Sequence, residues 1–410
     1  MIPANLFSEI ARADDRPALV FADGRTLSYA DLNVRTLRFA ERLGGGEKRL
    51  VAISAEISEH AIVAYLGALG AGHAVAMLPP CDDRLWREFL AAFQPDFTYR
   101  PADGCWRLVE ESRPGQSGPP LHPDLALLLM TSGSSGPAKA VRLSHANLDA
   151  NARSIASYLE LTAADRTALV LPLHYSYGLS VLHSHLVAGA SIFIPGVSVV
   201  SENFARLLGE SGCTNLSGVP YSYELIEKTG FRTKTLKTLR FMTVAGGRLA
   251  PELIRLYRDH MRANGGRFFV MYGQTEAAAR IAFVPPESLA DNEERIGIAI
   301  PGGSLSLVGD DGQPLDRAGV AGELVYAGPN VMMGYGADRT DLQRGAEVAA
   351  LMTGDIAMRD EDGFYRIVGR KSRFAKVAGL RIGFDIMEQV LAEAGSRPPS
   401  SATIKDCRPL

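Results

Sequence analysis

The chain has 410 residues, of which 46% are apolar, and its 43 basic and 46 acidic side chains give a formal net charge of −3. This length allows about two to four domains with a large core. The near-neutral balance lacks the basic stripe that nucleic acids or anionic membranes attract, so we expect neither as a partner. The four cysteines are scattered without a CxxC or zinc-ligand spacing, which favours a reducing, cytoplasmic location without disulfides.

Segments of helical and strand-like character alternate from the start of the chain to about residue 285. Capping and helix-breaking residues predict helices at Ser28–Arg42, Ser144–Leu159, Asn203–Gly209 and Pro251–Asn264. Short apolar runs predict strands at Leu50–Ile53, Leu125–Met130, Ala168–Leu171, Ser191–Ile194, Arg240–Val244 and Phe268–Met271. This alternation favours an α/β fold, with a large N-terminal body of parallel-type sheets flanked by helices.

The most apolar window, His60–Leu78, approaches the length of about 20 residues that a membrane-spanning helix needs. Gly70 and Gly72 interrupt it, and two prolines follow it at once. We therefore expect a buried helix, a turn and a buried strand here rather than a membrane span.

The texture of the sequence changes after about residue 285. Short strand-like runs at Leu305–Val308, Gly322–Tyr326 and Phe364–Val368 are separated by acidic turns that contain glycine. This pattern predicts a small antiparallel β-barrel region at about 286–370, appended to α/β subdomains at about 1–285. The segment Glu111–Pro120 is typical of a flexible linker, and we expect the stretch from Gly395 onward to be loose.

The segment Leu127–Val141, LLLMTSGSSGPAKAV, places a loop of hydroxyls and glycines between an apolar strand and a lysine. Such a loop can present backbone N–H groups and hydroxyls to phosphate oxygens, while Lys139 adds a positive charge. It is not a GxxxxGK[ST] loop, because Ala138 and Ala140 stand where that loop needs glycine and a hydroxyl. Taken alone, a surface turn with an exposed lysine explains the segment as well as a phosphate site does.

Four further motifs follow in order along the chain. They are Met242–Leu249 (MTVAGGRL), Phe269–Ala277 (FVMYGQTEA), Met352–Asp355 (MTGD) and Gly363–Ile382 (GFYRIVGRKSRFAKVAGLRI). Together with the glycine and serine loop, this set resembles the adenylate-forming superfamily of acyl-CoA synthetases, peptide-synthetase adenylation domains and luciferases. The resemblance runs from about Arg16 to about Ile382. It implies that ATP and Mg²⁺ are bound, and that a carboxylic acid is converted to acyl-AMP with release of pyrophosphate.

The resemblance also implies roles for individual residues around the phosphates. The residues that match the family's phosphate loop are Thr131, Ser132, Ser134, Ser135, Gly136 and Lys139. Thr275 matches a phosphate contact and Glu276 the Mg²⁺ ligand, for which a carboxylate oxygen is suited. The alternative is that Glu276 only begins a helix at the favourable end of its dipole. Lys139 and Glu276 thus become candidate catalytic residues.

Further matches concern the nucleoside and the carboxylate. The residues that match the adenine site are Gly246, Gly247 and Tyr272, with Gly273 next to them as a further nucleotide-binding candidate, and those that match the ribose site are Asp355 and Arg370. Asp355 alone would also be an ordinary turn residue. His174 matches a residue beside the carboxylate pocket and is the third candidate catalytic residue, with a structural role as its alternative. His183 and His185 are predicted to be packing or surface residues.

The stretches that match the family's acyl pocket are apolar in this chain. They include Leu179, Val181, Leu182, Val219, Met242, Val244 and Met271. No aspartate precedes Gly178 where amino-acid-activating relatives hold the amino group. We therefore expect a fatty, aryl or other non-amino acid as substrate.

The C-terminal cap of this family supplies a lysine for adenylation and then forms the acceptor tunnel. Here the hinge falls near Lys371-Ser372, and residues 371–410 are too few for a whole cap, so we expect a truncated remnant. Lys376 matches an early lysine of the cap and is assigned no catalytic role. Because a truncated remnant would lack the lysine that the family's cap supplies, the resemblance predicts feeble or partner-dependent turnover.

Three hypotheses for the function remain at this point. The first is transfer of the acyl group from acyl-AMP to a thiol, either CoA or an acyl carrier protein. The second is transfer to an amine, which would make the protein an amide ligase. The third is a nucleotide-binding homologue with weak or no catalysis. The sequence assigns no oligomeric state.

Overall fold

The computed structural model describes residues 14–111, 118–131, 139–234 and 236–371, together with two short strands beyond residue 371. Several predicted features lie outside the described residues. They are most of the linker, the phosphate-loop residues Ser132, Ser134, Ser135 and Gly136, the hinge residue Ser372 and the tail from Gly395. The chain divides into a first unit, Met1–Ser304 with Ala327–Leu351, and a second unit, Leu305–Tyr326 with Met352–Leu410. The subdomain boundaries at about 285 and 370 and the cap remnant stay predictions.

The described helices, in chain order, are α1 (Tyr29–Leu43), α2 (Glu59–Gly70), α3 (Asp83–Phe93), α4 (His145–Tyr158), α5 (Ser176–Val187), α6 (Phe204–Glu210), α7 (Pro220–Lys228) and α8 (Pro251–Ala263). The described strands are β1 (Pro17–Phe21), β2 (Thr26–Ser28), β3 (Leu50–Ser54), β4 (Ala74–Leu78), β5 (Phe97–Ala102), β6 (Cys105–Glu110), β7 (Leu125–Thr131), β8 (Lys139–Ser144), β9 (Arg166–Ala168), β10 (Ser191–Ile194), β11 (Asn215–Gly218), β12 (Phe241–Val244), β13 (Arg267–Tyr272), β14 (Ala282–Val284), β15 (Ile298–Ala299), β16 (Ser304–Val308), β17 (Ala321–Ala327), β18 (Gly334–Gly336), β19 (Leu351–Arg359), β20 (Tyr365–Arg370), β21 (Phe374–Val377) and β22 (Leu380–Gly383).

Two large sheets form the first unit. The nine-stranded sheet has the order β15-β14-β13-β12-β11-β9-β10-β1-β2, and its strands from β13 to β1 are parallel. The seven-stranded sheet has the order β18-β8-β7-β4-β3-β5-β6, and its central strands β7, β4, β3 and β5 are parallel. Antiparallel strands lie toward the edges of both sheets. The prediction of parallel-type sheets with helices between the strands is confirmed.

Most predicted elements are present with small shifts at their ends. Helix α1 begins after Ser28, whose hydroxyl accepts from the backbone of Asp31 while the Asp31 carboxylate accepts from Ser28, a capping box. The apolar window His60–Leu78 folds as helix α2, a turn and the wholly buried strand β4, as predicted. Within the described part of the chain, no helix combines the length and the apolar character that crossing a membrane requires.

The strand predicted at Ala168–Leu171 is wrong in position. Strand β9 spans Arg166–Ala168 and pairs with β10 and β11 only over those residues. It is anchored at its start, where buried Asp165 accepts hydrogen bonds from Thr214 and Arg240 of the neighbouring strand region. The apolar residues that follow are buried by packing, so apolar character alone placed the strand too late.

The predicted β-barrel is also corrected. The second unit holds a four-stranded sheet in the order β16-β17-β19-β20, and no closed barrel forms among the described residues. Four short strands are too few to close a barrel, since small closed barrels use about five to eight. Strands β21 and β22 pair as a separate antiparallel hairpin, in which Lys376 is opposite Arg381.

Candidate functional site

Two strands of the seven-stranded sheet place the ends of the predicted phosphate loop side by side. Thr131 ends β7 and Lys139 begins β8, and the two residues pair across the antiparallel ladder. The Thr131 hydroxyl donates to the Lys139 carbonyl at 3.3 Å. The loop between Thr131 and Lys139 lies outside the described residues. The Lys139 ammonium lies 5.8 Å from the centre of the Tyr335 ring, within the range of a cation–π contact.

Tyr335 connects the predicted lysine to the predicted metal ligand. Its hydroxyl donates to Oε1 of Glu276 at 2.7 Å. Burial and the adjacent Glu276 carboxylate raise the pKa of Tyr335, so the phenol keeps its proton and remains a donor at neutral pH. Glu276 lies in a short 3₁₀ turn, Thr275–Ala277, and does not begin an α-helix. The three side chains form one cluster, which we call the Lys139–Tyr335–Glu276 cluster.

A buried arginine fixes the position of Tyr335. Arg142, on β8, is fully buried, and it donates to the Tyr335 carbonyl at 3.2 Å, to Glu347 Oε2 at 2.6 Å and to the Arg344 carbonyl. Gly334 has φ +139°, and a Cβ there would approach Glu347 Oε2 to 2.6 Å, so this position needs glycine. Strand β18 is therefore held against β8 by charge as well as by backbone pairing.

The residues around Glu276 fit a magnesium ion that arrives with a nucleotide. One Glu276 oxygen accepts from a neutral phenol, and the half-buried carboxylate provides a hard oxygen ligand of the kind Mg²⁺ prefers. In the described ranges, no group of three or more His, Cys, Asp or Glu side chains could hold a metal ion. A single protein carboxylate suits Mg²⁺ that takes its other ligands from phosphates and water.

The start of helix α5 adjoins the turn that carries Glu276. The Ser176 and Thr275 hydroxyl oxygens lie 3.2 Å apart. His174 precedes the helix; burial lowers its pKa, and its buried Nδ1 has no hydrogen-bond partner. The imidazole is therefore neutral at physiological pH, with one ring nitrogen left for a ligand.

The other two histidines near α5 serve packing in the core. His183 Nε2 lies 2.8 Å from the Tyr65 hydroxyl, and His185 is hydrogen-bonded to the Val181 carbonyl and to Asn215. Burial lowers the pKa of His183 to about 3 and that of His185 to about 4. Neither lies at the surface, which the sequence left open.

The glycines predicted for the nucleotide site are also required by packing. Gly246 has φ +83°, and a Cβ there would lie 2.2 Å from the Tyr175 hydroxyl. A Cβ at Gly273 would lie 1.8 Å from the Ala279 carbonyl oxygen, and one at Gly247 would lie 3.2 Å from the Pro220 ring. Tyr272 accepts a hydrogen bond from Gln274 at 3.1 Å. The nucleotide-binding role of these residues stays a prediction.

Most of the predicted acyl-pocket side chains are buried. Leu179, Val181, Leu182, Met242, Val244 and Met271 are all buried, and Val219 is partly buried. A small cavity of about 10 Å³ is lined by other residues, Val170, Val199, Leu216, Ser217, Gly218, Ser222, Tyr223 and Ile226. Met271 Sδ accepts from the Tyr158 hydroxyl at 3.0 Å. Sequence reasoning missed Tyr335, which lies between Lys139 and Glu276 and belongs to no recognisable motif.

The second unit brings its two predicted ribose residues together. Asp355 on β19 and Arg370 on β20 are register partners, and Arg370 Nε lies 2.9 Å from Asp355 Oδ1. Asp355 is buried, whereas Arg370 is exposed. Lys371, at the predicted hinge, donates to Glu323 Oε2 at 2.5 Å. The ribose contacts stay a prediction, but the two side chains already act as a pair.

Comparison with known families gives a match over most of the chain. The profile of the family described as AMP-binding enzyme matches residues 6–85 and 94–336. That range contains both anchors of the phosphate loop and the Lys139–Tyr335–Glu276 cluster.

Curated relatives agree with this match, and a solved structure shares the fold. A sulfoacetate–CoA ligase from Cupriavidus necator is 36% identical over 293 residues, 68% of this chain and 54% of the relative. An indoleacetate–CoA ligase from Aromatoleum aromaticum is 32% identical over 282 residues, 67% of this chain and 54% of the relative. The chain thus spans about half the length of these curated relatives. An o-succinylbenzoate CoA synthetase from Bacillus subtilis, solved with its acyl-adenylate intermediate, superimposes with a TM-score of 0.78 at 23% identity, over 95% of this chain and 82% of that structure.

Proposed function

This chain belongs to the AMP-binding enzyme family, and from this membership we propose that it activates a carboxylic acid with ATP. One carboxylate oxygen attacks the α-phosphorus, the bond from that phosphorus to the bridging oxygen breaks, and acyl-AMP and pyrophosphate result. The acyl group then passes to the thiol of CoA, and AMP leaves. The single observation that carries the proposal is the Lys139–Tyr335–Glu276 cluster beside the loop anchors.

The residues of the cluster suit the charge that develops in this reaction. Negative charge builds on the departing pyrophosphate, so a lysine at the loop stabilises the transition state more than the ground state. A bound Mg²⁺, held by Glu276, would neutralise phosphate charge. The uncharged Tyr335 phenol holds the Glu276 carboxylate in place through a 2.7 Å hydrogen bond. Neutral His174, with its free Nδ1, would orient the substrate carboxylate.

The acceptor and the acid are proposed from the relatives and from the pocket. Both curated relatives described above are named CoA ligases, which supports a thiol acceptor over an amine. Their named acids, sulfoacetate and indoleacetate, support a non-amino acid. The buried apolar side chains near Met271 support an acid with an alkyl or aryl body.

The test is exchange of radioactive pyrophosphate into ATP across a panel of fatty, aryl and amino acids. We expect exchange with at least one non-amino acid, and a loss of at least ~100-fold in Lys139→Ala and in Glu276→Gln. Lys237→Ala and Glu287→Gln are matched controls, because both side chains are exposed. Exchange that survives both cluster substitutions would contradict the roles assigned to the cluster.

The same preparation separates the acceptors. Each active acid is offered CoA, a phosphopantetheinylated carrier protein and hydroxylamine, and the products are identified by mass spectrometry. We expect the acyl-CoA thioester. A hydroxamate without a thioester would favour an amine acceptor, and the absence of exchange with every acid would favour a nucleotide-binding homologue without turnover.

A further inference from the structure

Arg280 is a buried cation without a counter-charge. Only 2% of its surface is exposed, and its Nε is buried without a hydrogen-bond partner. Its Nη1 donates to the neighbouring Ala279 carbonyl at 3.4 Å, and the guanidinium also has the uncharged Tyr158 hydroxyl as a hydrogen-bond partner. Among the described residues, no carboxylate forms an ion pair with it. A buried charge without a counter-ion lowers the stability of the fold, so a buried guanidinium without an anionic partner needs an explanation.

Aromatic side chains surround the guanidinium but cannot neutralise it. The Cζ atom of Arg280 lies 3.8 Å from the centre of the Tyr177 ring, a close cation–π contact. Burial raises the pKa of Tyr158, Tyr175 and Tyr177, so these phenols stay protonated and uncharged at physiological pH. The rings favour a cation here, but none of them supplies a negative charge.

The backbone of Arg280 is fixed, so the side chain is presented by a rigid support. The side-chain amides of Asn330 and Asn151 donate to the Arg280 carbonyl at 2.8 and 3.4 Å. The Asn330 amide also donates to the Ala277 carbonyl at 2.7 Å, which ties Arg280 to the turn that carries Glu276. Such preorganisation is typical of a binding group rather than of a mobile surface arginine.

The aromatic neighbours of Arg280 contact segments that were predicted to surround the acyl group. The Tyr177 hydroxyl lies 2.7 Å from Thr243 Oγ1, in strand β12, and the Tyr158 hydroxyl donates to Met271 Sδ in β13. The Tyr175 hydroxyl is packed against Gly246. The guanidinium therefore lies among the acyl-pocket segments, whereas Lys139 lies beside the phosphate loop.

We propose that Arg280 binds an anionic group of the acyl substrate other than the carboxylate that reacts. The substrate class is then a carboxylic acid with a second negative charge, either a second carboxylate or a sulfonate. This inference rests on the proposed function, and it narrows the alkyl or aryl acid to one with an anionic end. The planar fork of Nε and Nη atoms matches two oxygens of either group. Low local polarity strengthens the pairing.

Pyrophosphate exchange with acids matched in length tests the inference. The probes are glutarate, 4-sulfobutyrate and pentanoate, with isophthalate against benzoate as an aryl pair. We expect wild-type kcat/KM to be about 10- to 100-fold higher for the dianionic member of each pair, the range of a charged hydrogen-bonded contact. Comparison of glutarate with 4-sulfobutyrate distinguishes a carboxylate end from a sulfonate end.

Substitutions then assign the preference to one side chain. Arg280→Met should remove the preference for dianionic acids while exchange with the monoanionic acids stays within about three-fold of wild type. Arg280→Lys should restore part of the preference, because a point charge replaces the fork. Arg38→Met is the matched control, since Arg38 is exposed. Arg280→Gln is the second variant if Arg280→Met does not fold, as judged by thermal unfolding.

Two outcomes overturn the inference. One is equal exchange of mono- and dianionic acids by the wild type. The other is an equal loss with every acid in a folded Arg280→Met protein, which would place Arg280 on the reacting carboxylate or in a structural role.

Calorimetric titration of the same acids without ATP separates this inference from the proposed function. Binding that prefers dianionic acids and is lost in Arg280→Met, without exchange in any condition, overturns only the proposed function. Equal affinity of wild type for both members of a pair overturns only the inference.

Discussion

Two buried arginines of the first unit differ in their partners, since one is paired with a carboxylate and the other is not. Arg142, fully buried on β8, is neutralised by Glu347 and also donates to backbone carbonyls. Arg280, with 2% of its surface exposed, has a tyrosine ring and an unpartnered Nε instead of a carboxylate. A buried cation that serves the fold carries its own counter-charge. A buried cation without one is expected to receive it from a ligand.

A third arginine supports this distinction. Arg339 is also buried, and it pairs with Asp96 at 3.0 Å while donating to the Gln94 carbonyl at 3.0 Å. Both carboxylate-paired arginines connect segments that are far apart in the chain, so their charges hold the first unit together. Arg280 contacts Tyr177 and Tyr158, which lie far from it in the chain, but these side chains carry no charge, so the charge of Arg280 is left for another task.

The largest expected effect concerns the paired arginine. Arg142→Met should lower the free energy of unfolding by about 3 kcal/mol, because Glu347 and the carbonyls of Tyr335 and Arg344 lose a buried donor. Urea denaturation measures this, with exposed Arg38→Met as the control. A loss of stability below about 0.5 kcal/mol would contradict the claim that Arg142 stabilises the fold.

The next largest effect concerns Tyr335, the residue that Arg142 positions, and tests whether its hydroxyl supports catalysis. Tyr335→Phe removes the donor to Glu276 but keeps the ring beside Lys139, and exchange should fall about 10-fold with a higher Mg²⁺ requirement. Tyr335→Leu, which also removes the ring, should be weaker still. Equal activity of wild type and Tyr335→Phe at limiting Mg²⁺ would show that the phenol does not position the carboxylate.

A smaller effect is expected on stability at Arg280. Arg280→Met should change the free energy of unfolding by about 1 kcal/mol or less, in either direction, because a methionine fills similar space and removes an uncompensated charge. Urea denaturation beside Arg142→Met gives the contrast directly. A loss as large as that of Arg142→Met would mean that both arginines serve the fold.

The smallest effect concerns the charge of His174. Burial lowers the pKa of His174, so this imidazole becomes protonated at a lower pH than an exposed histidine does. We expect the kcat/KM for the acid to show no ionisation of this residue between about pH 6.5 and 8. A limb near pH 6.5 that disappears in His174→Gln would show that His174 carries a positive charge in part of this pH range.

Local patterns in the sequence predicted the parts of the molecule that depend on local forces. Capping at Ser28 and the glycines after α2 placed helices and turns well, because those signals act within a few residues. The strand at Ala168–Leu171 was displaced because its true limits depend on pairing with β10 and β11. The barrel was predicted from strand texture, which does not reveal how many strands close.

The candidate site divides along the same line. Lys139 and Glu276 stand in recognisable motifs, and the fold joins them through Tyr335, a residue between two glycines with no motif of its own. Tyr335 reaches its place through β18, which pairs with β8 nearly two hundred residues earlier. Arg280 follows three alanines and resembles a surface residue in sequence. Its burial and its missing partner are properties of the tertiary structure alone.

Direct detection of the acyl-adenylate tests the account most closely. The protein is incubated with Mg·ATP and the matched pairs of acids, without an acceptor, and the products are analysed by mass spectrometry. We predict acyl-AMP and pyrophosphate, with the dianionic acids preferred, and neither product with Glu276→Gln. ATP left intact with every acid would contradict activation, and acyl-AMP formed equally from mono- and dianionic acids would contradict the role of Arg280.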